Sequence, residues 1–208
     1  AYWLLFAFFA AGTFLHRAQR PDRPATYPFL SIGALLVAVL VGFRDEVGKD
    51  WGKYEQMFRV AGYTDLGSTV SLDDPGYQLV NWAAQQLGGG IWLVNFVCAL
   101  IFAWGLLRFA RTQADPWLTI LVAVPYLIVV VAMGYTRQSV ALGILMAGLA
   151  SMNRGGSVIR FALFVAVATL FHKTAIVALL IVLFASQRNR LLNVIGGAAA
   201  LYLLYTLF

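Results

Sequence analysis

The residues best suited to chemistry stand in three short polar stretches that interrupt an apolar chain. The stretch GFRDEVGKDWGKY, residues 42–54, holds the densest charge, and the others are YTRQ, residues 135–138, and FHKT, residues 171–174. Arginine forks bind phosphate bidentately, and a carboxylate or an imidazole can take a proton from a hydroxyl. The three stretches therefore suit a phosphorylated donor and a hydroxyl acceptor.

Composition excludes an ordinary soluble domain. The 208 residues are 61% hydrophobic and 12% charged, with a mean hydropathy of +0.78, and these values indicate a membrane protein. The net charge of +6 is better explained by the positive-inside rule than by nucleic-acid binding. The single cysteine, Cys98, lies in an apolar run and forms no internal disulfide, and no Cys/His cluster predicts a metal site.

The apolar runs predict an all-α, polytopic membrane protein with about eight transmembrane segments, some of them short or re-entrant. The pair 158–171 and 174–186 is either one tilted helix or two half-helices that separate at His172. Both chain ends stop inside apolar runs, so a fragment of a longer protein is expected, with residues 1–208 forming a single integral membrane domain. The predicted spans are residues 1–15, 27–43, 91–109, 117–133, 138–152, 158–171, 174–186 and 191–208.

The charges of the connecting segments predict an orientation. Assigned to alternate sides, nine basic and two acidic residues fall on one side, and six basic and seven acidic residues fall on the other. The first side is predicted to be cytoplasmic, because short cytoplasmic loops carry an excess of Lys and Arg. The three polar stretches then share the extracytoplasmic side. The cytoplasmic set is Arg17, Arg20, Arg23, Arg108, Arg111, Arg154, Arg160, Arg188 and Arg190, with Asp22 and Asp115.

Residues 44–90 form the one large extracytoplasmic loop, in which two amphipathic helices are predicted. The first covers residues 46–61 and turns an aromatic face inward. The second begins at the sequence DDP, residues 73–75, because Asp is a good N-cap and Pro a good first helical residue, and it runs to about Leu87.

Helical spacing divides the first loop helix into a wet face and an inward face. Asp50 falls on the inward face with Trp51 and Tyr54. A carboxylate there needs a partner or a function. Asp50 is therefore either a base or the counter-ion that holds Arg44 in place. The wet face is Glu46, Lys49 and Lys53.

On the extracytoplasmic side the polar stretches offer cations, carboxylates, an imidazole and aromatic rings. Arg137 opposes the positive-inside tendency, although snorkelling to lipid phosphate also explains its position. A lone histidine is usually structural, but His172 stands beside Lys173 between two short apolar runs. The set suits a lipid diphosphate donor and a sugar acceptor. Its members are Arg44, Arg137, Lys173, Asp45, Glu46, Asp50, His172, Trp51, Tyr54 and Tyr135.

Three segments, in order along the chain, resemble the EpsG family of Wzy-like bacterial exopolysaccharide polymerases. VGFRDEVGKDWGKYEQMF fits the pattern G-x-R-x-x-x-G-x-D-x-x-x-Y, MGYTRQSVALGI fits a membrane R-Q segment, and LFHKTAIVAL fits F-H-x-x-A. Together they cover residues 42 to about 180. Members of the family are usually longer, which agrees with the expectation of a fragment.

The resemblance implies polymerisation at the extracytoplasmic face of the bacterial cytoplasmic (inner) membrane. A glycan carried on undecaprenyl diphosphate is transferred to the sugar hydroxyl of another lipid-linked repeat unit, and the carrier diphosphate leaves. The expected partners are this lipid-linked oligosaccharide, the bilayer and other polysaccharide export or assembly proteins, with no nucleic acid. The motif residues carried over are Arg44, Asp50, Tyr54, Arg137, Gln138 and His172.

The predicted enzyme is thus a metal-independent glycosyltransferase without a cofactor. Arg137 and Arg44 would hold the diphosphate, and the acceptor proton would go to His172 or to Asp50. Two alternatives stay open, namely a transporter or flippase for the same lipid-linked sugar and a non-catalytic subunit of an assembly complex. The catalytic candidates are His172, Asp50 and Arg137, and the substrate-binding candidates are Arg44, Tyr54, Trp51, Tyr135, Gln138 and Lys173.

Overall fold

Helices are the regular elements of the structure, a computed structural model that describes residues 2–17 and 27–180 together with Tyr202. No strand occurs in that part of the chain, so the predicted all-α class is confirmed. The first six helices are α1 (Tyr2–Arg17), α2 (Tyr27–Gly42), α3 (Trp51–Ala61), α4 (Leu66–Val70), α5 (Pro75–Gln86) and α6 (Ile91–Ala110).

The second half of the described chain begins with α7 (Pro116–Ala123), which continues into a π-helical segment (Val124–Ala132). After a short break come α8 (Thr136–Asn153) and α9 (Val158–Thr169). A 3₁₀ helix (Lys173–Ala178) then follows, and His172 stands at its N-cap. Of the two arrangements predicted for residues 158–186, the structure therefore shows the separation at His172.

Every other predicted span within the described residues coincides with a helix whose ends differ by a few residues. The predicted span 191–208 and the part of 174–186 beyond residue 180 lie outside the described residues. So do five residues of the predicted cytoplasmic set, namely Arg20, Asp22, Arg23, Arg188 and Arg190.

The first loop helix is shorter than the sequence predicts, because α3 begins at Trp51 and residues 43–50 form turns. Glu46 and Gly48 have φ angles of 50° and 107°, which a right-handed helix cannot accommodate. Gly48 also comes close to the end of the π-helical segment, since a Cβ there would lie 2.8 Å from the carbonyl oxygen of Met133. The turn is thus fixed by a contact that helical periodicity does not reveal.

The second loop helix is confirmed, because α5 starts at Pro75 directly after Asp74. Tyr77 and Ala84 of this helix are buried, whereas Leu87, just beyond its end, is exposed. The short helix α4 is an addition that the sequence analysis does not include. Its N-cap is Asp65, whose carboxylate accepts a hydrogen bond from the backbone amide of Ser68.

One helix within the described residues, α6, is both long enough and apolar enough to cross a membrane. Its 20 residues would extend about 30 Å, close to the thickness of a bilayer core. Shorter apolar helices cover Tyr2–Leu15, Pro28–Gly42, Pro116–Ala132 and Val158–Thr169. The eight predicted spans stay a prediction.

The core is organised around α6, which packs against both α2 and α8. Phe102 and Leu106 of α6 are buried in one cluster with Val37 and Val41 of α2. A second cluster places Val94 and Cys98 of α6 with Val140 and Ile144 of α8. This packing fixes the end of α2 and the start of α8, next to which Arg44 and Arg137 lie.

Candidate functional site

Arg137 lies in the first turn of α8 and forms an ion pair with a residue of the loop. Its Nη1 donates a hydrogen bond of 2.5 Å to Oδ2 of Asp74. The two side chains are 13% and 6% exposed, so water screens the pair only weakly. Arg137 is one of the predicted site residues, whereas the sequence analysis gives Asp74 only the role of starting a helix.

The sequence Asp-Pro-Gly-Tyr, residues 74–77, places this carboxylate. Gly76 donates its backbone amide to the carbonyl oxygen of Leu170 at 2.8 Å. A Cβ at Gly76 would lie 3.1 Å from atoms of Leu170 and Phe171, and glycine therefore permits the close approach. The start of α5 is thereby attached to the segment that leads into His172.

Two tyrosine rings form an aromatic wall beside the ion pair. The rings of Tyr54 and Tyr77 are 5.6 Å apart between centroids, and both are buried. The guanidinium carbon of Arg137 lies 5.8 Å from the centroid of the Tyr54 ring, a distance typical of a cation–π contact. Burial raises the pKa of Tyr54, so its hydroxyl stays protonated at neutral pH and is able to donate a hydrogen bond.

His172 is half-buried at the break between α9 and the 3₁₀ helix. Burial lowers the pKa of His172; Asp74 opposes this effect, and Arg137 and Lys173 add to it. The imidazole is therefore neutral at pH 7. Its Nδ1 is buried and has no hydrogen-bond partner among the described residues.

An apolar cavity of about 580 Å³ adjoins His172. Gln138, His172 and Thr174 supply polar groups to its lining, and the remaining lining is aliphatic. The aliphatic residues come from α8 and from the segment that contains the 3₁₀ helix: Ala141, Leu142, Leu145, Ala175, Val177, Ala178 and Leu180. The cavity fits a ligand that has a long apolar part and a polar part near His172.

Arg44 lies in a separate buried position, where it joins three segments of the bundle. Its guanidinium donates to the carbonyl oxygen of Val41 at 2.7 Å, to Oδ1 of Asn95 at 3.3 Å and to Oγ1 of Thr136. These partners belong to the end of α2, to α6 and to the start of α8. Only 5% of Arg44 is exposed, so the geometry favours a role in holding Thr136, the residue before Arg137.

The suggestion that Asp50 is the counter-ion of Arg44 is wrong. Among the described residues no ion pair or hydrogen bond joins the two side chains. The reason is that Arg44 turns into the helix bundle, whereas Asp50 stays half-exposed at the N-cap of α3. Asp50 does act electrostatically on Tyr54, so it stands at the edge of the aromatic wall.

The remaining predicted residues differ in how far their side chains are exposed. Trp51 and Tyr135 are half-buried, at the first residue of α3 and the N-cap of α8. Gln138 is exposed at the cavity, and Lys173 is exposed beside His172. The structure thus brings Arg137 into contact with Asp74 and Tyr54, places His172 where Asp74 and Arg137 act on its charge, and holds Arg44 in a separate buried position.

Sequence reasoning missed Asp74 and Asn95. A signal existed for Asn95, because an amide inside the apolar run 91–110 needs a hydrogen-bond partner in the membrane. For Asp74 the sequence offers no separate signal, because Asp before Pro is already explained as a helix start. Chemically, the assembled site offers an arginine for an anion, a neutral imidazole for a proton and an apolar cavity.

Comparison with known families agrees with the motifs. The sequence model of the EpsG family matches residues 27–208, which is most of the chain. Neither the curated proteins nor the solved structures give a significant match. The family implies a polymerase-type function in exopolysaccharide synthesis in general and, together with the apolar helices, indicates a membrane protein. The chain belongs to the EpsG family.

Proposed function

We propose that this protein is a polysaccharide polymerase that transfers an undecaprenyl-diphosphate-linked glycan to the sugar hydroxyl of another lipid-linked repeat unit. The observation that carries the proposal is that His172 lines an apolar cavity together with Gln138, the residue that follows Arg137 on α8. An arginine suits the diphosphate, an imidazole suits the acceptor proton, and the cavity suits the lipid. Family membership supports the same reaction class.

In this reaction the acceptor oxygen forms a new bond to the anomeric carbon of the donor. The bond from that carbon to the diphosphate oxygen breaks, and its electron pair leaves with the carrier diphosphate. The hydroxyl proton goes to the neutral imidazole of His172, and the extra negative charge on the leaving diphosphate is stabilised by Arg137. His172 is preferred to Asp50 as the base, because His172 shares the electrostatic environment of Arg137 and Asp74.

Other residues have supporting roles in the proposal. Trp51 and Tyr135, which are half-buried, would contact sugar rings, whereas the buried ring of Tyr54 would hold the guanidinium of Arg137 in place. Gln138 and Lys173 would bind polar groups at the mouth of the cavity. Arg44 is predicted from the sequence to bind the diphosphate, but its buried contacts support a positioning role for it instead. The proposed glycosyl transfer is metal-independent, because Arg137 supplies the positive charge.

The proposed location is the bacterial inner membrane, with the site at the extracytoplasmic face. Large apolar side chains are exposed on α1, α7 and α9, for example Trp3, Leu4, Val122 and Ile159. Exposed apolar surface of this kind favours contact with lipid acyl chains. In this arrangement residues 1–208 form one polytopic membrane domain with the 44–90 loop above the site.

The function is tested with the purified full-length protein in lipid nanodiscs and a lipid-diphosphate-linked repeat oligosaccharide. Longer glycans and released carrier diphosphate are expected, both measured by mass spectrometry. A flippase would move the lipid between leaflets without lengthening the glycan. A non-catalytic subunit would produce neither result. Either of these outcomes would replace the polymerase proposal with the corresponding alternative.

The pH dependence of glycan elongation is expected to report on His172. Because the neutral imidazole is the base and burial lowers its pKa below the ordinary value of 6.5, activity is fully present at pH 7. It is expected to fall as the pH decreases through the lowered pKa, with a midpoint below 6.5. Initial elongation rates between pH 4.5 and pH 8 measure this acid limb.

His172→Gln serves as the test variant for this pH dependence. Glutamine retains polarity but cannot take the proton, so kcat should fall by a factor of about 10²–10⁴. The residual activity should lack the acid limb. If the same acid limb persisted in the variant, the base would be another group, with Asp50 the next candidate.

A further inference from the structure

Asp74 differs from three other helix-capping residues of the described chain. Asp65, Asp115 and Ser157 each accept a hydrogen bond from a backbone amide of the helix that they start. Asp74 holds the same position before α5, yet its side chain makes no such bond. Its carboxylate is turned to Arg137 instead. The helix start is therefore not what fixes the direction of this side chain.

Asp115 provides the most direct comparison, because it too stands at an N-cap before proline. It has φ −131° and ψ 100°, within the extended range that the residue before proline prefers. Asp74 has φ 57° and ψ 61°, a left-handed conformation that a residue with a side chain rarely adopts. Strained conformations of this kind persist where the surrounding structure holds them, and they cluster at ligand and active sites.

In this left-handed conformation the carboxylate of Asp74 forms the ion pair with Arg137. Arginine binds carboxylate and phosphate oxygens with the same planar fork. The carboxylate therefore occupies a position that a phosphate oxygen would otherwise take. The start of α5 is hydrogen-bonded through Gly76 to Leu170, in the segment that leads into His172, and both Asp74 and Arg137 act electrostatically on that histidine.

We propose that Asp74 holds the anion position of Arg137 in the ligand-free site and is displaced from it by the diphosphate of the lipid-linked substrate. The identity of that anion rests on the proposed function. Because the carboxylate competes with the substrate, the apparent affinity is reduced by the fraction of molecules in which Asp74 holds Arg137. The return of Asp74 to Arg137 also promotes departure of the carrier diphosphate after transfer.

Asp74→Asn tests the competition, because asparagine tolerates the left-handed conformation and removes the charge. The measurement is the binding of farnesyl diphosphate to the full-length chain in nanodiscs by calorimetry at fixed salt concentration. The dissociation constant is expected to fall by about 10-fold, while kcat for elongation falls because the product leaves more slowly. Asp115→Asn, which changes the same dipeptide elsewhere in the chain, should bind as the wild type does.

Two further variants keep the test decisive. Asp74→Gly also fits the left-handed backbone and replaces Asp74→Asn if that variant does not fold. Adding Arg137→Gln to either variant should remove the gain in affinity. Inorganic pyrophosphate, measured in parallel, should show a similar gain, because it carries the same charged group. A gain confined to farnesyl diphosphate would assign the effect to the lipid part and overturn the proposal.

If both Asp74 variants bound farnesyl diphosphate no more tightly than the wild type does, the proposal that Asp74 competes with the diphosphate would also be overturned. If the wild type still elongated glycans in that preparation, the proposed function would stand without the competition. If the Asp74 variants bound more tightly but the wild type elongated nothing, the competition would stand and the polymerase proposal would fail.

Discussion

Arg137→Ala is expected to abolish detectable glycan elongation, with kcat/KM reduced by a factor of about 10²–10³ or more. In the proposed reaction, the variant loses the guanidinium that would stabilise the charge of the leaving diphosphate. It also leaves the carboxylate of Asp74, only 6% exposed, without its partner. Breaking a buried ion pair in this way lowers the free energy of unfolding by about 3 kcal/mol. Both quantities can be measured, by product length and by thermal unfolding in detergent.

A double variant separates these two effects. Asp74→Asn combined with Arg137→Gln removes both charges, so stability should recover while elongation stays absent. Arg154→Ala is the matched control, because Arg154 is exposed at the other end of the same helix. It should elongate normally. Restored elongation in the double variant would show that the pair is structural and that Arg137 does not act on the substrate.

Arg44→Ala is expected to lower the free energy of unfolding about as much as Arg137→Ala does. The guanidinium donates to three oxygens that belong to α2, α6 and α8, and each buried acceptor left without a donor costs about 1–3 kcal/mol. Relief of the buried charge offsets part of that cost, which leaves a net loss on the order of 3 kcal/mol. The unfolding temperature and the amount of protein in the membrane fraction report this loss.

Arg44→Lys and Arg59→Ala are the two variants with which Arg44→Ala is compared. A single ammonium group cannot reach all three oxygens in the geometry of the guanidinium. The stability of Arg44→Lys should therefore lie between that of the wild type and that of Arg44→Ala. Its folded fraction should keep the wild-type KM for the lipid-linked substrate. Arg59 is 65% exposed and paired with Glu55. Arg59→Ala should therefore lower the free energy of unfolding by no more than about 0.5 kcal/mol. Normal stability with a raised KM in Arg44→Lys would instead support the phosphate-binding role predicted from the sequence.

The sequence was sufficient for the helices but only partly sufficient for the site. Apolar runs located α1, α2, α6 and α8, because a helix in an apolar surrounding satisfies its own backbone groups. The break at His172 was also visible, since two ionisable residues interrupt an apolar run. The π-helical segment Val124–Ala132 was not visible, because its composition suits an α-helix equally well.

The direction of individual side chains was the part that the sequence could not supply. Asp74-Pro75 and Asp115-Pro116 look alike as helix starts, yet one carboxylate caps its helix and the other binds Arg137. That difference depends on where α5 and α8 come to lie in the bundle. Arg44 illustrates the same limit, since its partners Asn95 and Thr136 are distant in the chain.

The long-range contacts of Arg44 and Arg137 also have a consequence for assembly. Arg44 joins residues 51 and 92 positions away, and Arg137 joins Asp74 across 63 positions. Contacts between such distant segments form only after the loss of chain entropy on closing long loops has been offset. The pair of Arg137 and Asp74 therefore forms only once α5 and α8 have come together. The proposed anion site at Arg137 is accordingly expected to form late in the assembly of the helix bundle.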